Sequence, residues 1–267
     1  MRNGPYQKIM NTPYSKSTRA FLEEKYTFFN RPSFIESDPI QIPHRFSRRE
    51  DIEISAFLTS QIAWGRRKMI ISNADRMMSL MDNSPYEFIM KAEAKDLKKT
   101  EGFVHRTFNG GDLLSSINCL RNIYNNHGGL KKVFETAYTS GGSVYTTLAG
   151  FRNVFLSTGH SVHYRKHVSD VTRKSAAKRL NLFLMWMCRK DDRGVHFGLW
   201  DIPSSALMIP LDVHCARTAR RLGLLVRKQN DWRAVEELTA ALRKFDPEDP
   251  VKYDFALFGS GVIEKTS

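Results

Sequence analysis

The sequence predicts an all-α fold. Three observations carry that reading: apolar residues recur at helical spacing along most of the chain, glycine, asparagine or proline stops separate those stretches, and no segment alternates long enough to build a strand ladder. Apolar residues make up 41% of the 267, enough for one large core or two small ones without disulfide staples. Cys119, Cys188 and Cys215 are odd in number, far apart and without CxxC spacing, which points to a reducing compartment rather than to a zinc or redox pair. No run of about 18 apolar residues occurs and "MRNGPYQKIM" has no apolar signal core, so neither membrane insertion nor secretion is expected.

Residues 1–18 read as a loose polar arm, followed by a helix in "STRAFLEEKYTFFNR" capped near Ser17. "RPSFIESDPIQIPHRF" carries Pro32, Pro39 and Pro43 and reads as an extended link that holds no long helix. From residue 47 the pattern turns helical, with Ser47 and Glu50 at capping-box spacing and Ile54, Phe57, Leu58 and Ile62 on one face. Gly65 separates that helix from a second, which carries Met69, Ala74, Met77, Met78 and Met81. Further helices follow in "SPYEFIM", "GDLLSSINCLRNIYNNHGGLKKVFETAY" and "SVYTTLAGFRNVFLS", with stops at the glycine pairs 110–111, 128–129 and 141–142. "SAAKRLNLFLMWMCRKDD" is apolar on nearly all sides from Leu180 to Met187 and predicts a buried helix. "DWRAVEELTAALRKF" is amphipathic through Val235, Leu238, Ala241 and Leu242, and "VKYDFALFGSGVI" closes the chain. The chain divides into an arm, helix and Pro-rich connector at 1–46 and a helical region at 47–267, with a middle lobe at about 66–190.

Lys and Arg number 41 against 28 Asp and Glu, a net charge of +13 that favours a polyanionic partner. The chemistry concentrates in "IPLDVHCARTARRLGLL", residues 209–225. Asp212 is placed to cap a helix starting at Val213, and Gly223 to end it. Leu211, Cys215, Ala219 and Leu222 share the face that meets the core, while His214, Arg217 and Arg221 share a basic face. Upstream, Lys178 opens the buried apolar helix. There the helix dipole and desolvation both disfavour an ammonium, and a neutral amine is a nucleophile.

"DVHCARTARRLGL" resembles the segment that follows the helix-hairpin-helix in the DNA glycosylase superfamily of endonuclease III and the 8-oxoguanine glycosylases, and the preceding "IPL" is most similar to the archaeal 8-oxoguanine branch. The resemblance covers residues 50–263, through three short blocks. It implies a two-lobed helical glycosylase-like fold with a degenerate hairpin, a catalytic Asp212, and a lysine nucleophile at the end of the hairpin. Lys178 holds that place, 34 residues before Asp212, and Lys174 in "RKSA" is the alternative. "KSAAK" stands where the family has "GVGRK", so the hairpin glycines are missing. "ISAFLTSQIAWGRRK" resembles the lesion-facing segment of the family. It makes Gln61 the residue that fills the space of a flipped nucleotide, Trp64 a base-stacking ring, and Arg66, Arg67 and Lys68 phosphate contacts, alongside Lys174, His214, Arg217 and Arg221. "KRLNLFLMWMCRKDD", "FGLW" and "FDPEDPVKYDFALFG" resemble a bacterial family inside this superfamily.

The implied activity is removal of a damaged base from double-stranded DNA, an oxidised purine such as 8-oxoguanine being the first candidate, with AP-lyase strand cleavage in base excision repair. A non-catalytic helical DNA- or RNA-binding protein is the alternative. No cofactor and no metal ligand set is expected, since the four-cysteine cluster loop of endonuclease III is missing. The chain reads as a monomer of the bacterial cytoplasm, associated with the nucleoid and not with a membrane.

Overall fold

The computed structural model describes residues 14–263. It is all-α, about 64% helical, and the sheet among the described residues is one two-stranded hairpin. In chain order the helices are α1 (Lys16–Phe29), α2 (Pro32–Ile35), α3 (Arg49–Gln61), α4 (Arg67–Leu80), α5 (Pro85–Lys91), α6 (Ala94–Lys98), α7 (Gly110–Asn126), α8 (Gly129–Gly141), α9 (Val144–Phe155), α10 (Lys178–Cys188), α11 (Val213–Arg221), α12 (Trp232–Arg243) and α13 (Asp254–Ile263). Strands β1 (Val104–His105) and β2 (Phe108–Asn109) pair antiparallel between α6 and α7. No helix among the described residues is long and apolar enough to cross a membrane.

The chain forms two compact units. One holds Ile35–Asp170 with Leu199–Asp201; the other holds, among the described residues, 14–34, Val171–Gly198 and 202–263. In the first unit α8 packs along α9, and α7 packs against both. Its core is aromatic: the Phe134 and Phe151 rings stack at 4.2 Å, and Phe57 meets Phe155 edge-on at 5.1 Å. Trp200 and Tyr124 both donate to the buried carboxylate of Glu53, at 2.9 and 2.8 Å. Burial pushes the Glu53 carboxyl up, and these two hydrogen bonds oppose the shift.

In the second unit α1 and α11 both pack on α13. The buried Arg189 guanidinium satisfies itself on Asp249 Oδ2 at 2.8 Å, on His196 Nδ1 at 3.0 Å and on the Tyr26 hydroxyl at 3.1 Å. A buried charge needs such partners, because it has given up its hydration.

Three local expectations are corrected. Helix α1 is capped by Ser15, whose Oγ accepts from Thr18 N, rather than near Ser17. Helix α3 starts at Arg49 with Arg48 as its cap, so Ser47 makes no capping box, and Glu50 instead accepts from the Arg48 side chain at 3.2 Å. The Pro-rich stretch is not an extended link. It folds into α2 and two 3-10 turns, Pro39–Gln41 and Pro43–Arg45, each opened by its proline and burying Ile40 and Ile42 completely. The loose arm was read over residues 1–18. Its first 13 lie outside the described residues, and from Lys16 the chain is helical.

Candidate catalytic and nucleic-acid site

The approach to α11 is a buried, non-helical strand of chain. Leu207, Ile209 and Leu211 are each at most 2% exposed, and Ile209 N donates to Thr239 Oγ1 of α12 at 3.2 Å. This anchoring fixes where Asp212 stands. Its extended backbone, φ −112° and ψ −179°, turns the side chain onto the first turn of α11, where Oδ1 accepts from His214 N and Cys215 N, both at 2.8 Å. Both cap bonds end on one oxygen, which leaves Oδ2 for another partner. At the far end Gly223 takes a left-handed φ of +70°, and Leu224 N returns to Ala219 O at 2.9 Å.

Between cap and stop, the two faces separate as the spacing predicts. Leu211, Cys215, Ala219 and Leu222 are buried, whereas Arg217 and Arg221 are exposed and His214 is half-buried. Arg217 Nη2 lies 3.1 Å from His214 Nδ1, and the His214 ring meets Phe258 of α13 edge-on at 6.4 Å. Arg220 differs from its neighbours. Its guanidinium folds back on the next loop and donates to the carbonyls of Arg227 and Lys228 and to Asn230 Oδ1, at 2.7 to 2.9 Å. It ties the loop after α11 to the helix.

Lys178 is the first residue of α10, half-buried, on a helix whose Leu180, Asn181 and Phe183–Cys188 are buried. Its relation to Asp212 is read at Cys215. Burial pushes that thiol well up, the carboxylates of Asp254 and Asp212 push it further, and the Lys178 ammonium opposes them. The charges of Asp254, Asp212 and Lys178, on three helices of one unit, all bear on this thiol. Sequence reading missed Asp254, whose only signal was an acid opening an apolar helix.

The chain leading into α10 lacks the hairpin glycines and nevertheless takes glycine-like turns. Lys174 has φ +66° and Ala177 φ +46°. The segment is held by Lys174 N to Val171 O at 2.9 Å, Trp232 N to Lys174 O at 3.0 Å, and Ala177 N to Ser175 Oγ at 3.2 Å. The Lys174 side chain is exposed.

The remaining sequence-read residues belong to the other unit. Gln61 is the last residue of α3 and 1% exposed. Trp64 is half-buried, edge-on to His105 at 5.0 Å and stacked on His167 at 6.0 Å, with its carbonyl 3.1 Å from His105 Nε2. Arg66 and Lys68 are exposed at the start of α4, and Arg67 is half-buried there. Cys119, Cys188 and Cys215 are all buried.

The chain belongs to the DUF2400 family, described as a protein of unknown function, whose model matches residues 38–263. No curated protein and no solved structure matches it.

Proposed function

We propose that this DUF2400 chain is a DNA glycosylase with AP-lyase activity, acting on a damaged base in double-stranded DNA, in which Asp212 and Lys178 do the chemistry. The observation that carries the reading is that, within one unit, the Asp212 carboxylate caps α11 through a single oxygen and Lys178 opens the buried α10. An N-glycosidic bond breaks with positive charge growing on the sugar, and a fixed carboxylate stabilises that charge. Asp212 is fixed by two amides through one oxygen, so its other oxygen is available for this role.

With its amine deprotonated, Lys178 attacks C1′. The bond to the base breaks, the base leaves with the electron pair and takes a proton, and the aminal opens to an imine. Loss of a C2′ proton then expels the 3′ phosphate. Exposed Arg217, Arg221 and Lys174 supply phosphate contacts on the same unit, in keeping with a net charge of +13. The left-handed turns at Lys174 and Ala177 favour this reading over a merely basic helical protein, since a hairpin that grips phosphate through its amides needs that backbone shape whatever its side chains.

The test is borohydride trapping on a duplex that carries an abasic site, followed by a panel of duplexes each with one lesion. Trapping lost in Lys178→Gln and retained in Lys174→Gln supports the assignment. Trapping retained in both variants points to an adventitious amine. DNA binding without excision of any lesion leaves a non-catalytic binding protein.

A further inference from the structure

Outside the unit that holds Lys178 and Asp212, three side chains of the Ile35–Asp170 unit converge. Asp112 stands in the first turn of α7, where its Oδ2 accepts from Asn109 N at 2.9 Å and completes a capping box. His163 and His167 open and close a 3-10 turn and both face this carboxylate. His163 Nδ1 lies 2.7 Å from Oδ1 and His167 Nε2 lies 3.3 Å from Oδ2. The three ligand atoms all lie within 4.8 Å of one another. Asp112 and His167 are buried, whereas the His163 side chain is 47% exposed.

We infer that Asp112, His163 and His167 form a binding site for a divalent transition-metal ion of the zinc class, open to water on the His163 side. One carboxylate and two imidazoles are a borderline donor set that suits Zn²⁺, Co²⁺ and Fe²⁺ and discriminates against Ca²⁺ and Mg²⁺. Metal–ligand bonds of about 2.0–2.2 Å place neighbouring donors roughly 3 Å apart, and the two nitrogen–oxygen separations, 2.7 and 3.3 Å, bracket that spacing.

The donors are also held in place. Ser161 N donates to Ser115 Oγ at 3.1 Å, Ser116 Oγ bonds the Tyr164 hydroxyl at 2.7 Å, and Arg152 Nε donates to Val168 O at 3.2 Å, so both ends of the turn are tied to α7 and α9. The His167 ring is clamped between Trp64, stacked at 6.0 Å, and Phe108, edge-on at 5.1 Å. Groups that hold ligands in this way lower the cost of assembling a site. Sequence reading passed over His163 and His167, four residues apart, because their third partner, Asp112, lies 51 residues before His163.

Lys166 gives the inference a second handle. Its Nζ lies 2.6 Å from His163 Nε2. It sets a positive charge beside a ligand ring of the site. Lys166 therefore opposes metal binding by its charge.

Calorimetric titration of the chelator-stripped full chain with Zn²⁺, and the visible spectrum of Co²⁺ added in its place, test the site. Wild type should take up one equivalent. His163→Ala should weaken binding at least tenfold, and His127→Ala, which removes an exposed histidine outside the cluster, should leave it unchanged. Lys166→Ala should tighten it severalfold. Circular dichroism checks the His163 variant, and if that variant fails to fold, the gain in Lys166→Ala decides. Absence of uptake by wild type, equal uptake by a folded His163→Ala, or unchanged affinity in Lys166→Ala would overturn the inference.

Discussion

Lys174 and Ala177 both hold a left-handed backbone, φ +66° and +46°, three residues apart in a segment that contains no glycine. Such turns cost a non-glycine residue about 1 kcal/mol each, and the surrounding hydrogen bonds must over-determine them. Lys174 is the exposed member of the pair and loses no packing on truncation. Lys174→Gly should therefore raise the unfolding free energy by up to about 1 kcal/mol. If the proposed function holds, the same variant should bind duplex DNA more weakly. Denaturant unfolding and a binding isotherm on one preparation separate the two effects, and a variant that loses stability would show that the Lys174 side chain holds the turn.

Asp212 serves as helix cap and, in the proposed reaction, as the charge beside the sugar. The two roles separate by substitution. Asn caps as well as Asp, so Asp212→Asn should fold and bind DNA like wild type while base excision falls by about 10²–10³-fold. Asp212→Ala should cost about 1 kcal/mol of stability in addition. Circular dichroism, binding and single-turnover excision on both variants make the comparison, and an Asp212→Asn that unfolds would reduce Asp212 to a structural cap.

The three arginines of α11 should behave differently. Arg217 and Arg221 are exposed on one face, whereas Arg220 is spent on the carbonyls of Arg227 and Lys228 and on Asn230. Arg217→Ala and Arg221→Ala should each lower the slope of log affinity against log salt by roughly 1. Arg220→Ala should instead cost about 1 kcal/mol by freeing the loop after α11, with little change in the salt slope. Equal behaviour of all three would mean that the helix meets no nucleic acid through this face.

What the sequence made legible was local. The cap at Asp212, the stop at Gly223 and the two faces of α11 follow from spacings within one helix, and so does the burial of α10. The break at Gly65 between α3 and α4 was legible for the same reason, since a φ of +104° there admits little else. Capping of α3 was not. Ser47 and Arg48 are adjacent, and Arg48 also lies over the Tyr86 ring at 4.2 Å, a contact 38 residues away. The Pro-rich stretch was misread because its prolines forbid a long helix without dictating extension, and the burial of Ile40 and Ile42 decided for tight turns. The action of Asp254 on Cys215, and the meeting of His163 and His167 with Asp112, are products of tertiary packing, since each joins residues distant along the chain.

His105 gives the fold a pH dependence whose sign can be worked out. The ring is 1% exposed, with Nδ1 2.9 Å from the Asn73 amide nitrogen and Nε2 3.1 Å from the Trp64 carbonyl. This is the pattern of a neutral imidazole that accepts at Nδ1 and donates at Nε2. Burial pushes its pKa below the usual histidine value, the bond to the Trp64 carbonyl opposes that, and the Arg106 charge adds to it. Since the folded-state value is depressed, the unfolded chain binds the proton first as pH falls. The stabilising contribution of the neutral ring is therefore complete above about pH 6.5, is lost as pH drops through that value, and levels off below the folded-state pKa. His105→Gln keeps one acceptor and one donor at similar reach and does not titrate. Urea unfolding at pH 7.5 and pH 5.5 should show wild type losing more stability across the interval than His105→Gln, because histidines other than His105 contribute equally to both. An equal loss in the two proteins would mean that His105 is protonated in the folded chain, and its bond from the Asn73 amide would then have to be redrawn.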